Sequence, residues 1–116
     1  MELYIAGGCR EHGRNSFLIT GKQYSVLVDC GIMEGAPCPF PYLTREQIAG
    51  IRYLFLTHSH KDHAGAVGWL VDNGFRGVIA AAKETRQQTN ISYGQWQILS
   101  PKGGSPNDTL KAQGAA

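Results

Sequence analysis

Tyr53-Leu54-Phe55-Leu56-Thr57-His58-Ser59-His60-Lys61-Asp62-His63-Ala64-Gly65 is an apolar run that breaks abruptly into three of the chain's four histidines. The apolar half predicts a buried strand over Tyr53 to Thr57. In an extended chain, residues two apart point the same way, so His58 and His60 project from one side of the strand end. Lys61 then turns the chain, and Asp62 and His63 open the next element, where a helix N-terminus would favour the Asp62 carboxylate. Neutral imidazole and carboxylate are what a borderline cation such as Zn²⁺ binds. His-x-His alone often marks a polar loop. With Asp-His added after one spacer, behind a strand and ahead of a helical pattern, the reading becomes metal ligation by His58, His60, Asp62 and His63.

The flanking sequence alternates between strand and helix signals and predicts an α/β architecture. Leu3 to Ala6 reads as a short strand that Gly7-Gly8 ends. Ser16 to Thr20 and Tyr24 to Asp29 read as strands joined by a hairpin at Gly21-Lys22-Gln23. Pro37, Pro39 and Pro41 mark a loop. Thr44, with Gln47 three residues on, resembles a capping box and predicts a short helix over Thr44 to Ala49. Beyond Ala64, the apolar residues Val67, Leu70 and Val71 fall at helical spacing until Asn73-Gly74 stops them. Gly77 to Ala82 reads as a further strand, and Lys83-Glu84-Thr85 starts a helix. Trp69 is expected to pack under a neighbouring element.

Thr57-His58-Ser59-His60-Lys61-Asp62-His63-Ala64-Gly65 resembles the HxHxDH signature of the metallo-β-lactamase superfamily. Gly7-Gly8-Cys9-Arg10-Glu11-His12-Gly13-Arg14-Asn15-Ser16 is similar to the segment that opens its β-CASP branch of RNA- and DNA-processing nucleases. Val26-Leu27-Val28-Asp29-Cys30-Gly31-Ile32 looks like the family's strand ending in Asp-x-Gly, and Gly65 to Leu70 with Gly74 to Gly77 also fits. The likeness runs over about residues 2 to 86. It implies the N-terminal half of an αββα sandwich, a mixed sheet with helices on one face. It implies two zinc ions per complete site, His58 and His60 serving one, Asp62 and His63 the other, with Asp62 also assigned to catalysis. A bridging hydroxide would be the nucleophile, since bound Zn²⁺ lowers the pKa of water from about 15.7 to about 7. The implied activity is a metal-dependent hydrolase of the phosphodiester, RNA-processing nuclease type, with RNA as substrate. Thioesters or lactams share the same metal core and remain alternatives.

Three further residues belong to the expected site. Asp29 either orients a ligating histidine or simply ends its strand by bonding backbone. Glu11 and Arg14 either face a substrate phosphate, if the β-CASP likeness carries over, or belong to a solvated loop. His12 reads as a surface residue and Lys61 as solvent-facing.

The pattern departs from the family after His63. A complete site takes another histidine, a bridging aspartate and a final histidine, whereas no histidine comes after His63, and only Asp72 and Asp108 come after Asp62. The chain is therefore expected to be half a domain, residues 1–86, with a divergent and flexible segment over 87–116. As such it would be a catalytically incompetent metal-binding module unless completed. One sheet face would lie open where the other half packs, which predicts self-association.

Composition excludes little. A net charge of +2 without a basic run does not argue for nucleic acid. No stretch has the length of a membrane-spanning helix, and Met1-Glu2-Leu3-Tyr4 lacks a basic signal-peptide start. Cys9, Cys30 and Cys38, odd in number and without a CxxC pair, read as reduced thiols of a cytoplasmic protein.

Overall fold

The computed structural model describes residues 1–85, 87 and 88. Five strands form one mixed sheet in chain order: β1 (Glu2–Gly7), β2 (Ser16–Thr20), β3 (Ser25–Val28), β4 (Ile51–Leu56) and β5 (Val78–Ala81). β1, β2 and β3 pair antiparallel, whereas β3, β4 and β5 run parallel. The hairpin between β2 and β3 closes with the Gly21 N–H donating to the Tyr24 carbonyl.

Helix α1 (Arg45–Ala49) begins with the expected capping box. The Thr44 hydroxyl accepts from the Gln47 N–H, and the Gln47 side chain accepts from the Thr44 N–H. After β4 the sequence predicts one helix from Ala64, but two short ones form, α2 (Lys61–Ala64) and α3 (Val67–Asp72). The interruption is tertiary. The Ala66 N–H donates across to the Cys30 carbonyl, and Gly65 sits so close to Ile32 that a Cβ there would lie 2.6 Å from its methyl.

Cross-strand register sorts the sheet into two faces. On one, Leu18, Leu27, Leu54 and Ile79 stand in a row across β2 to β5. All four are buried, in one cluster with Ile48 of α1, Ala64 of α2, and Val67, Leu70 and Val71 of α3. The helices thus cover this face, and Trp69 packs at its margin, stacked on Phe40 with ring centroids 5.1 Å apart.

The opposite face carries Leu3, Ile5, Phe17, Ile19, Val26, Val28, Tyr53, Phe55, Val78 and Ala80. None of these ten joins the packed cluster. Val78 and Ala80 of β5 are buried, the middle-strand residues are half-buried except Phe55, which is exposed, and Leu3 and Ile5 are 65% and 46% exposed. No described helix packs on this face, which is open at β1 but closed at β5.

Candidate metal centre

Parallel strands end together, so the segments leaving them share one edge of the sheet. Val28, Phe55 and Ala80 stand abreast at these ends, and in α/β folds ligands bind outside the carboxyl ends of such strands. Here β3 delivers Asp29, β4 delivers Thr57 to His60, and the segment after β5 delivers Glu84 and Thr85.

Asp29 is almost fully buried at 3% exposure, with a left-handed backbone (φ 63°) that aspartate tolerates better than most residues. One carboxylate oxygen accepts the Thr57 N–H at 2.8 Å. The other accepts the Thr57 hydroxyl at 2.7 Å and lies 2.8 Å from His63 Nδ1. Because an ionised carboxylate only accepts, the Nδ1 proton belongs to this bond, and the lone pair of His63 sits on Nε2. That atom faces Asp62 Oδ2 at 3.5 Å. Two electron-rich atoms pointed at each other are satisfied by a cation between them, or by a second proton on His63.

The other two imidazoles stand alongside. His58 and His60 are stacked as neighbours on one side of the chain, centroids 5.8 Å apart and planes within 6°, and the His58 ring lies 5.1 Å from that of His63. The turn bearing these rings is stitched to the end of β3. Cys30 N–H donates to the His63 carbonyl, Ile32 N–H to that of Lys61, and both the backbone N–H and side-chain amide of Asn15 to that of Asp62. Lys61 itself reaches out to Glu34 at 3.0 Å, both ends largely exposed.

The chemistry of this donor set fits zinc: three imidazoles and a carboxylate, one imidazole already oriented by hydrogen bonding through its far nitrogen. Yet among the described residues no three His, Cys, Asp or Glu side chains converge closely enough to hold an ion by themselves. The turn is a partial donor set. Beside it opens a cavity of about 620 Å³, lined by His58, Ser59, His60 and Lys61 on one side and by Glu84, Thr85 and Gln88 on the other.

Glu11 and Arg14 occupy the β1–β2 loop and do not line that cavity. They grip each other: Arg14 Nε donates to Glu11 Oε2 at 2.7 Å and its Nη2 to Oε1 at 2.9 Å. The guanidinium also donates to the Cys38 carbonyl and lies over the Tyr42 ring, 4.6 Å from its centroid. This Arg14 bond, with a further one from the Gly8 N–H, pulls the Glu11 carboxyl from its ordinary 4.5 to about 2, while Glu11 raises the pKa of Arg14. His12 is exposed, as expected. Cys30 is fully buried beneath the turn, and burial, reinforced by the Asp29 charge, pushes its thiol pKa far up. Sequence reasoning passed over Thr57 and Asn15 as site residues. Thr57 could have been found from its place between strand and histidines, whereas Asn15 gave no sign of meeting Asp62, 47 positions away.

A mixed sheet with a histidine-rich turn at the carboxyl ends of its parallel strands defines a metallohydrolase-type scaffold. Residues 9–113 match the profile of the metallo-β-lactamase superfamily, and the chain belongs to that superfamily. Its relatives fall in the β-CASP branch. It is 31% identical over 108 residues to the transcription termination factor FttA of Lokiarchaeum sp., covering 90% of this chain and 17% of that protein. It is 33% identical over 79 residues to ribonuclease J of Mycoplasma pneumoniae, covering 60% of this chain and 14% of that one. To the cleavage and polyadenylation specificity factor 73 of Drosophila melanogaster it is 34% identical over 80 residues, covering 66% and 12%. Among solved structures, a mutant metallo-β-lactamase from Cronobacter sakazakii superposes with a TM-score of 0.55 at 26% identity, over 74% of this chain and 33% of that one. The chain thus spans about a sixth of the curated relatives' length or less. No helix among the described residues is long and apolar enough to cross a membrane.

Proposed function

We propose that this chain carries the nucleating half of a dinuclear zinc site in a phosphodiester hydrolase acting on RNA. The observation that carries this reading is the hydrogen-bonded series Thr57–Asp29–His63, which fixes one imidazole with Nε2 facing the Asp62 carboxylate. The names of the relatives, a ribonuclease and two factors of transcript ending or cleavage, support RNA over thioester or lactam. His58 and His60 would hold one ion, and Asp62 and His63 the other. When bound, the two ions supply an acidified water and positive charge against the phosphodiester oxygens.

The chain's own residues do the rest. Asp29 accepts a hydrogen bond from His63 Nδ1 and so leaves the ring's lone pair on Nε2. Thr57 locks the Asp29 carboxylate through both its N–H and its hydroxyl, leaving that oxygen pair no freedom to swing toward the cavity. Asp62, in the first turn of α2, presents a half-exposed carboxylate to His63 Nε2, 3.5 Å away. A phosphate contact by Glu11 and Arg14 would have to form beside their own ion pair, since Glu11 and the Cys38 carbonyl already take up three of the five guanidinium N–H donors. The cavity beside the histidines is large enough for one nucleotide unit.

The test is hydrolysis of labelled single-stranded RNA beside a thioester and a lactam. RNA cleavage that disappears in His60→Ala and with a chelator supports the nuclease reading. Turnover of either other substrate alone would replace it, and no turnover of any substrate would leave the chain a metal-binding module.

A further inference from the structure

We propose that Asn15 is a positioning residue for the metal turn: it grips Asp62 by the main chain and so keeps the Asp62 carboxylate opposite His63 Nε2. This rests on the metal reading above. Helix α2 is a single turn whose N-cap, His60, makes no side-chain capping bond, so little within α2 fixes its orientation. The Asp62 carboxylate is 44% exposed and faces His63 across 3.5 Å, longer than a hydrogen bond, so its direction is inherited from its backbone. That backbone is held by Asn15 twice at one atom. Asn15 N–H donates to the Asp62 carbonyl at 3.0 Å, and Asn15 Nδ2 donates to the same oxygen at 2.8 Å.

The grip is anchored from behind. The Gly31 N–H donates to the Asn15 carbonyl at 3.0 Å, and the approach is so close that a Cβ on Gly31 would lie 1.8 Å from the Asp62 oxygen and 2.8 Å from Asn15 N. On the other side, Arg14 is tied to Glu11 and to Cys38, which fixes the loop from which Asn15 projects. Asparagine suits the post because it offers an N–H donor on a short, planar arm. Aspartate has the same shape but would set an acceptor against the carbonyl.

Cobalt(II) serves as the probe, since its visible spectrum reports both binding and coordination geometry. The chain and its Asn15→Ala and Asn15→Asp variants are titrated, with Glu34→Gln as a control that alters the same turn from its solvent side. We expect cobalt affinity to fall about tenfold in Asn15→Ala and further in Asn15→Asp, with a changed visible band and cooperative melting retained. Glu34→Gln should match the parent. Should either variant fail to melt cooperatively, Asn15→Ser, which keeps a donor on a shorter arm, is read in its place and should fall between parent and Asn15→Ala. Variants that bind within about twofold of the parent with the same spectrum would overturn the role of Asn15 and leave the metal site standing. No cobalt binding by the parent would remove the metal site itself, and the proposal with it.

Discussion

Replacing Asp29 with asparagine changes one atom and should reverse a tautomer. Thr57 N–H cannot turn, so the new amide must present its oxygen there, as Asp29 Oδ1 does now at 2.8 Å. Its NH₂ then takes the place of Oδ2, facing the Thr57 hydroxyl and His63 Nδ1. The hydroxyl can rotate to accept. His63 Nδ1 can accept only if its proton moves to Nε2, which turns the nitrogen proposed to ligate into a donor. To bind a metal, the ring must take its proton back and lose the bond at Nδ1. A hydrogen bond to a charged group is worth about 1.5–3 kcal/mol, which is on the order of a 10- to 100-fold loss of metal affinity. The fold should survive, because asparagine is among the residues that best tolerate the left-handed backbone at this position. Nitrogen-detected NMR of the imidazoles reads the tautomer, and calorimetric zinc titration reads the affinity. A variant that keeps its proton on Nδ1, or binds zinc as the parent does, would refute the reasoning.

Gly31→Ala should be far more damaging, since the new Cβ would stand 1.8 Å from the Asp62 oxygen, where ordinary contact begins near 3.4 Å. Parting the backbones would break three hydrogen bonds at about 1 kcal/mol each and add about 1–3 kcal/mol of overpacking, so a cooperative thermal melt should be lost. On acidification the Glu11–Arg14 pair should persist below the ordinary carboxyl range. A carboxyl whose pKa is lower in the folded state stabilises fully above 4.5 and loses that effect as pH falls toward about 2, so Glu11→Gln should flatten the acid-unfolding curve only in that window. With a thiol reagent at about pH 8, Cys9 should react at once, whereas buried Cys30 should react on the order of a hundredfold more slowly until denaturant is added. Self-association through the open sheet face should weaken when Leu3 and Ile5 are both changed to lysine, read by sedimentation. An unchanged concentration dependence would place the contact elsewhere.

Most of the scaffold can be read from short-range pattern. Alternation and turn residues locate the five strands to within about two or three residues of their ends, and Thr44 with Gln47 announces α1 by a capping bond that needs only four residues. The split between α2 and α3 is not readable, because it depends on an Ala66–Cys30 bond that exists only after the sheet forms. Asp29 illustrates the middle ground. Bonding backbone and orienting a histidine look like alternatives in the sequence, yet the buried carboxylate has oxygens enough to touch Thr57 N and His63 Nδ1 together. The contacts of Arg14 with Cys38 and Tyr42 lie beyond any local signal, since they join loops that only the fold brings side by side.

The open sheet face has a consequence for how the chain is handled during its synthesis. Leu3, Ile5 and Phe55, the exposed side chains of that face, come together only once β1 to β4 have paired, so an apolar patch is created by successful folding rather than by its failure. Association through such a patch would not require unfolding, and raising stability would not suppress it. The expected outcome is that the monomer's lifetime depends on its concentration, because the exposed patch is present in the folded state. Expression yield would then track concentration and chaperone supply more closely than melting temperature.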